Sequence, residues 1–306
     1  MGGSGGGGFR SSGGSSLSSR INQAVRESDQ AATETEIAEA FAERLKELNQ
    51  RDVAEINRRA DEINDALLEE LEDHLTLNFG GSVAKNTYVD GLSDVDMIAI
   101  MRDTPDHHPR DLLDRLTALI SEKLGEDATV SHGNVAVTVK YKDGLELQIV
   151  PAVHSGEKLA VPSWEGDAWS SINSRGFAEA LTRRNQECSG RLVPVIKLAK
   201  AMNGGLPESQ RLTGYHIESL AIAAFRGYDG QLTTKDMLRH YFSRTPDLLL
   251  QPIKDRTGQS VHVDAYLGDP HSSERETRSH VFSGLGRRLE NALSTGSLSK
   301  LNSLFE

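Results

Sequence analysis

The sequence predicts an α+β fold in which a mixed sheet with flanking helices is followed by a helical lobe. The first half contains runs of alternating apolar and polar residues, which is the period of a β-strand. Apolar residues at helical spacing precede those runs, and after Pro162 only helical spacing is found. We therefore expect a sheet lobe over residues 33–160, beginning with a helical spine, and a helical lobe over residues 161–306.

Residues 1–20 are mostly glycine and serine, a composition that cannot repay the entropy of ordering, so we expect a disordered leader. The sheet lobe is predicted to contain one or two long helices over 33–77, strands at 76–79 and 95–101, a helix at 109–125, an alternating run at 128–141 and a strand at 145–150 closed by Pro151. The helical lobe is predicted to contain helices at 177–188, 192–203, 215–227, 234–243 and 274–295.

Charge and composition exclude several classes of protein. The 34 Lys and Arg residues against 45 Asp and Glu give a formal net charge of -11, so we expect no constitutive binding of duplex nucleic acid. The single cysteine, Cys188, excludes an internal disulfide, and the ten histidines lack the spacing of a zinc site. No apolar run approaches the roughly 20 residues that span a bilayer, and no signal peptide is recognised. We expect a cytoplasmic protein without a membrane partner.

Two aspartates, Asp94 and Asp96, are separated by one residue at the start of an apolar strand. Alternate residues of a strand face the same side, so both carboxylates point from one face and repel unless cations lie between them. Oxygen ligands select hard ions such as Mg2+ or Mn2+. A pair of such ions about 4 Å apart can lower the pKa of an attacking hydroxyl and neutralise a leaving pyrophosphate.

A glycine-rich turn, Gly80-Gly81-Ser82, precedes the aspartates and is typical of a phosphate site. Glycine lets backbone N–H groups approach phosphate oxygens, the Ser82 hydroxyl donates another bond, and Lys85 supplies positive charge. Either motif alone is common in exposed turns. Their combination directly before an apolar strand is much more specific.

Residues 81–82 and 87–96, which read Gly-Ser and Thr-Tyr-Val-Asp-Gly-Leu-Ser-Asp-Val-Asp, resemble the polymerase-beta-like nucleotidyltransferases. Within that superfamily the sequence is similar to the bacterial CD-NTase group, which comprises the oligoadenylate-synthetase-like and cGAS-like signalling synthetases of anti-phage defence. The likeness continues through residues 145–151, 192–203, 212–218 and 263–268 and covers about residues 35–306.

The resemblance implies a catalytic lobe over residues 33–160 and an oligoadenylate-synthetase-like helical lobe over 161–306. It implies that Gly81 and Ser82 hold the triphosphate and that Asp94 and Asp96 bind two metal ions. Lysines of the second lobe, Lys197 or Lys200, would reach the phosphates, although a solvated helix face explains them equally well. Tyr215 would stack on a base, with a core or capping role as the alternative.

The sequence departs from the family at the third carboxylate, where Gln148 stands three residues before Pro151. Glutamine offers a neutral oxygen to a metal but cannot take a proton from an attacking hydroxyl. Glu146 lies on the same strand face, about 6.6 Å along the strand. It is therefore a candidate catalytic and metal-binding residue, the alternative being an ordinary strand charge paired with a lysine, while Gln148 could also replace the carboxylate in an enzyme that uses the metals alone.

The leading functional hypothesis is a template-independent enzyme that makes a short oligonucleotide signal for a separate effector protein. The product could be cyclic, or linear and even built from deoxynucleoside triphosphates, as a resemblance to the nucleotidyltransferase of the Hailong defence system implies. One alternative is an AMP-transferase that modifies a protein or a small molecule. Another is a catalytically silent nucleotide-binding regulator, which Gln148 favours and the pair Asp94 and Asp96 disfavours.

Overall fold

The structure is a computed structural model that describes most of the chain. Its described residues are 17–49, 53–71, 75–80, 85, 87, 89, 95–101, 108–155, 158–163, 165–257 and 262–306. Their α-helices are α1 Leu17–Glu47, α2 Val53–Leu71, α3 Pro109–Leu124, α4 Ser174–Glu187, α5 Leu192–Gly204, α6 Gly214–Ala224, α7 Thr234–Leu249, α8 Ser273–Thr295 and α9 Leu298–Asn302. Their strands are β1 Leu75–Phe79, β2 Val95–Met101, β3 Ala128–His132, β4 Val137–Tyr141, β5 Glu146–Ser155, β6 Lys158–Pro162 and β7 Trp169–Ile172.

The seven strands form one mixed sheet in the order β1-β2-β5-β4-β3, with β6 paired to β5 and β7 paired to β6. Strand β2 pairs parallel with β5, whereas β1 is antiparallel to β2 and β4 is antiparallel to β5. Alternate residues of β2, from Val95 to Met101, are buried on one face, where α2 and α3 pack. The opposite face of β2, which carries Asp96, is partly exposed.

The described residues form two hydrophobic cores. One core joins the sheet to α2 and α3, and the other joins the second half of α1 to α4–α9. Helix α1 therefore packs with the helical lobe although it precedes the sheet in sequence. The boundary near residue 160 stays a prediction, but the burial of Ile37 and Phe41 assigns α1 to the second core.

Several predicted boundaries were wrong. Residues 17–20 of the predicted leader form the start of α1, while residues 1–16 lie outside the described part of the chain. The alternating run 128–141 is two strands, β3 and β4, paired as a hairpin. Strand β5 continues past Pro151 to Ser155, and strands β6 and β7 were not predicted.

Proline is tolerated in β5 because of where the strand changes its partner. Residues up to Ile149 pair with β4, and residues from Val153 pair with β6. Pro151 lies between these two ladders, on the edge of β5 that faces β4 and β6. Neither ladder includes Pro151, so its missing N–H breaks no ladder bond on that edge.

Helix α7 also runs further than predicted, to Leu249, with Pro246 inside its last turn. Proline there leaves the carbonyl of Phe242 without its helical N–H donor. Helix α8 passes close to that carbonyl at Gly286, where an added Cβ would lie 3.3 Å from the Phe242 oxygen. Among the described residues, no helix combines the length and the apolar character needed to cross a membrane.

Candidate active site

The partly exposed face of the sheet brings together three of the predicted site residues. Asp96 of β2 and Gln148 of β5 are partners in the parallel register, so their side chains lie next to each other on one face. Glu146 begins β5, one residue before the pair formed by Val95 and Leu147. All three predicted side chains are partly buried. Oxygen-bearing side chains are therefore gathered on one part of the sheet face.

Glu146 has a second neighbour, a lysine on strand β4. Lys140 of β4 is its cross-strand partner, and Thr138 is the partner of Gln148. The choice between a third metal ligand and an ordinary strand charge at Glu146 stays open, because a lysine opposite the glutamate on the neighbouring strand is compatible with both uses.

The phosphate turn starts directly beside Asp96. The backbone N–H of Gly80 donates to the Asp96 carbonyl at 2.8 Å. A Cβ at Gly80 would lie 3.0 Å from Cγ1 of Ile98, so glycine lets the chain leave β1 in close contact with β2. Gly81, Ser82 and Asp94 lie outside the described residues, and their roles stay predictions.

Oxygen donors in this region suit a hard divalent cation such as Mg2+ or Mn2+. Asp96 offers a carboxylate and Gln148 an amide oxygen, and Glu146 adds a carboxylate on the same face. Within the described part of the chain, no group of three His, Cys, Asp or Glu side chains is close enough to hold a metal. The two-ion site, with Asp94 as one of its ligands, stays a prediction.

A buried cluster of charges joins the sheet lobe to the helical lobe. Glu218 of α6 accepts bonds from Lys85 at 2.5 Å, from Lys200 of α5 at 2.8 Å and from the Thr87 hydroxyl at 2.5 Å. Lys200 also donates to the Thr87 carbonyl at 2.9 Å. Lys85 and Thr87 belong to the segment between β1 and β2, so the cluster ties that segment to the helical lobe.

Electrostatics keep Glu218 ionised in this cluster. Burial alone would raise the pKa of its carboxyl, but the charges of Lys200 and Lys85 and their hydrogen bonds outweigh burial and lower it. Two ammonium groups against one carboxylate leave a net charge of about +1 in this cluster. That charge favours an anionic ligand.

Two aromatic rings lie beside Lys85. The ring centroids of Phe177 and Tyr215 are 4.6 Å apart, and the Lys85 ammonium lies 4.8 Å from the first and 5.6 Å from the second. These distances are in the range of cation–π contacts. The Tyr215 hydroxyl donates to Asp255 at 2.6 Å, and burial together with this carboxylate raises the pKa of Tyr215. Tyr215 is thus part of a fixed aromatic pair.

Lys197 lies apart from this cluster. Its ammonium donates to the Asn49 side chain at the end of α1, whereas the Lys200 ammonium reaches Thr87 and Glu218. The two lysines proposed as alternatives therefore have different surroundings, and Lys200 is the one beside the segment that follows the phosphate turn. Phosphate binding by either stays a prediction.

A second cluster of buried polar side chains contacts α6 at His216. Arg275 donates to Asp264 at 2.8 Å, and His216, next to Tyr215, has its Nδ1 2.9 Å from the Tyr266 hydroxyl and its Nε2 3.6 Å from Asp264. Burial lowers the pKa of His216 to about 4; Asp264 opposes this shift and Arg275 adds to it. The histidine is therefore neutral at physiological pH.

Sequence reasoning missed three residues that contact the predicted site residues Lys85 and Tyr215: Glu218, Phe177 and Asp255. A glutamate within the apolar run of α6 was a usable signal for Glu218, because buried carboxylates are rare unless paired. Phe177 resembles any core residue in the sequence. Asp255 lies in an irregular connection, and its partners are distant in sequence.

Comparison with known proteins connects this geometry to one group. The family model for the Second Messenger Oligonucleotide or Dinucleotide Synthetase domain matches residues 36–185, which include the whole sheet. A curated cyclic AMP-AMP-AMP synthase from Acinetobacter sp. is 25% identical over 209 residues, which are 64% of this chain and 57% of that protein. The chain thus spans less than two thirds of the length of this relative.

Solved structures share the fold at low identity. CdnG, a CD-NTase from Bradyrhizobium diazoefficiens solved with GTP, has a TM-score of 0.68 at 17% identity, covering 87% of this chain and 93% of that one. CdnC of Escherichia coli MS115-1, solved with ATP, has a TM-score of 0.64 at 18% identity, covering 87% and 96%. The predicted α+β fold, a polymerase-beta-like mixed sheet with a C-terminal helical lobe, is confirmed.

Proposed function

We propose that this chain, which belongs to the bacterial CD-NTase family, is a metal-dependent and template-independent nucleotidyltransferase that joins nucleoside triphosphates into a short oligonucleotide. The observation that supports this most is the Asp96–Gln148 pair on the partly exposed face of the sheet, directly beside the start of the glycine-rich turn. The matched synthetase domain includes the same strands. The product serves as a signal for a separate effector protein in anti-phage defence, in the cytoplasm.

In this proposal Asp94, Asp96 and Glu146 hold two Mg2+ or Mn2+ ions. When bound, such ions neutralise the triphosphate and ease deprotonation of the attacking hydroxyl. Gly81 and Ser82 bind the triphosphate through backbone and hydroxyl donors. Asp96 is fixed by its strand, so it needs little reorganisation when the substrate binds.

The helical side of the cleft contributes charge and stacking. The net positive charge of Lys85 and Lys200 with Glu218 attracts the triphosphate. Tyr215, with Phe177 against it, offers an aromatic surface to a nucleobase. The substrate therefore lies between the lobes, with its phosphates toward the sheet and its base toward α6.

The proton of the attacking hydroxyl needs an acceptor other than Gln148, whose amide is neutral. Glu146 is the carboxylate on the same strand and the same face, and we assign it this role. If Glu146 does not serve, the position of Gln148 beside Asp96 favours the second candidate, a catalytically silent nucleotide-binding regulator. These two functions predict opposite results for turnover.

Purified protein is incubated with Mg2+ or Mn2+ and separate pools of ribonucleoside and deoxyribonucleoside triphosphates, and products are resolved by mass spectrometry. Pyrophosphate and an oligonucleotide are expected from triphosphates alone, and both are lost in the double variant Asp94→Ala/Asp96→Ala. The masses define base, sugar and whether the product is cyclic or linear. Product only when a protein or small-molecule acceptor is added would indicate an AMP-transferase, and no turnover in any pool would contradict the proposal.

A further inference from the structure

A single turn between α7 and α8 holds the Tyr215 ring from behind. Oδ1 of Asp255 accepts the Tyr215 hydroxyl at 2.6 Å, the Thr257 hydroxyl at 2.7 Å and the Thr257 backbone N–H at 2.8 Å. Asp255 is 5% exposed. A buried carboxylate oxygen with three short bonds fixes the direction of the tyrosine hydroxyl, and with it the tilt of the ring.

The same turn also holds the element that carries the second ring. The backbone N–H of Asn173 donates to the Thr257 carbonyl at 2.7 Å. Asn173 is the N-cap of α4, where its side chain accepts from Gly176, the residue before Phe177. Residues 255–257 thus bond both to Tyr215 of α6 and to the N-cap of α4, the helix that carries Phe177.

The turn is itself anchored in the helical lobe. Ile253 donates its backbone N–H to Asp264 at 3.0 Å and accepts from the Val263 N–H at 2.9 Å. Asp264 in turn is held by Arg275, whose side chain is fully buried. A movement of Asp255 relative to the core would break these bonds, so the turn acts as a rigid support.

We infer that Asp255 is a positioning residue for nucleotide binding, which holds the partly exposed Tyr215 ring, packed against the buried Phe177 ring, as the surface on which a nucleobase stacks. This rests on the proposed function, because that function assigns the nucleobase to Tyr215. Lys85 brings positive charge to the same rings, so the surface suits the base and the charge of one nucleotide. Asp255 acts through its hydrogen bond to Tyr215.

Two variants remove the bond from opposite sides: Tyr215→Phe deletes the hydroxyl and Asp255→Ala deletes the acceptor. Each is expected to raise the KM for the nucleotide about tenfold, because a ring released from its hydrogen bond must be fixed by the nucleotide itself, at a cost close to that of one hydrogen bond to a charged group. The kcat is expected to stay within about twofold, because the reacting atoms lie on the sheet side. The double variant should be no worse than the more affected single variant, since both delete the same bond.

Asp255→Asn provides the conservative test, because an amide oxygen still accepts from Tyr215 and Thr257; its KM should return to within about twofold of the wild-type value. Asp143→Ala is the matched control, since Asp143 also accepts from a backbone N–H and a side chain, but at the β4–β5 turn. Its KM should not change. Tyr215→Phe keeps the carboxylate and the fold, so it decides the matter if Asp255→Ala does not fold.

An inactive wild-type protein would contradict the proposed function. An active wild type whose KM is unchanged by Tyr215→Phe would overturn only the role of Asp255. Equal losses of kcat in Asp255→Ala and Asp143→Ala would also overturn it, because they would indicate general destabilisation.

Discussion

The two sides of the cleft differ in how their charges are compensated. On the helical side, Glu218 and Lys200 are 1% and 5% exposed and are bonded to each other. On the sheet side, Asp96 and Glu146 are partly exposed. The buried Glu218–Lys200 pair is neutral and Lys85 adds a positive charge beside it, whereas partly exposed carboxylates on one strand face can accept cations from solution. We therefore expect the helical side to be assembled before a ligand binds, and the sheet side to gain positive charge when cations bind.

The largest effect is expected on the sheet side. Asp96→Asn keeps the size and shape of the side chain but removes its charge, and turnover should fall at least about 1,000-fold, or about 4 kcal/mol. Asp114→Asn is the control, since Asp114 pairs with His132 outside the cleft and its side chain is 65% exposed. Pyrophosphate release measures both. Turnover of Asp96→Asn within tenfold of the control would show that the sheet-side carboxylate is not required.

On the helical side the expected loss is in stability. Glu218→Ala leaves Lys85 and Lys200 buried without their carboxylate, which should lower the free energy of unfolding by about 3 kcal/mol. Glu290→Ala is the matched variant, because Glu290 pairs with Arg239 on the surface at 2.7 Å and should lose less than about 1 kcal/mol. Urea unfolding measures both. Equal losses of unfolding free energy in the two variants would show that Lys85 and Lys200 do not depend on the Glu218 carboxylate.

In α6, His216 makes the free energy of unfolding depend on pH. Its folded pKa of about 4 lies below the unfolded value of 6.5, so the unfolded chain binds a proton first as pH falls. The stabilising contribution of the neutral histidine is fully present above pH 6.5 and decreases toward pH 4. The free energy of unfolding should fall by about 2 kcal/mol between pH 7 and 4.5. Urea unfolding of the wild type and His216→Asn compares the two slopes. Equal slopes would show that the histidine is not buried in its neutral form.

The smallest effect concerns the third carboxylate. Glu146→Gln should reduce kcat about tenfold or more if Glu146 accepts the proton. Lys140→Met is the control, because it removes the cross-strand partner but leaves the carboxylate. A kcat of Glu146→Gln equal to that of the control would return Glu146 to the role of an ordinary strand charge.

The elements that the sequence predicted well are those with one strong period. Strand β2 has the predicted bounds, and α3 is shorter by one residue, because apolar residues repeat along each of them without interruption. The β3–β4 hairpin was missed, although the alternation changes parity between Val130 and Val135, which is what a turn produces. Strands β6 and β7 have five and four residues, too few for a period to be recognised.

Candidate site residues divide in the same way. Asp96 and Gln148 lie in local motifs of the sequence, and the parallel register of β2 and β5 brings them together, while their roles stay predictions. The partners of Glu218 and Asp255 could not be assigned, because Glu218 is 133 residues from Lys85 and Asp255 is 40 residues from Tyr215. Such pairs depend on tertiary packing, between the lobes for Lys85 and within the helical lobe for Tyr215, which no local pattern contains.

A crystal structure of the protein with Mn2+ and a non-hydrolysable nucleoside triphosphate tests the assignment of the cleft most directly. Anomalous scattering locates manganese independently of the protein coordinates. We expect manganese between the Asp96 carboxylate and the triphosphate, with the base against Tyr215. Manganese away from β2, or a triphosphate bound without contact to the sheet, would contradict the assignment of this cleft as a nucleotidyltransferase site.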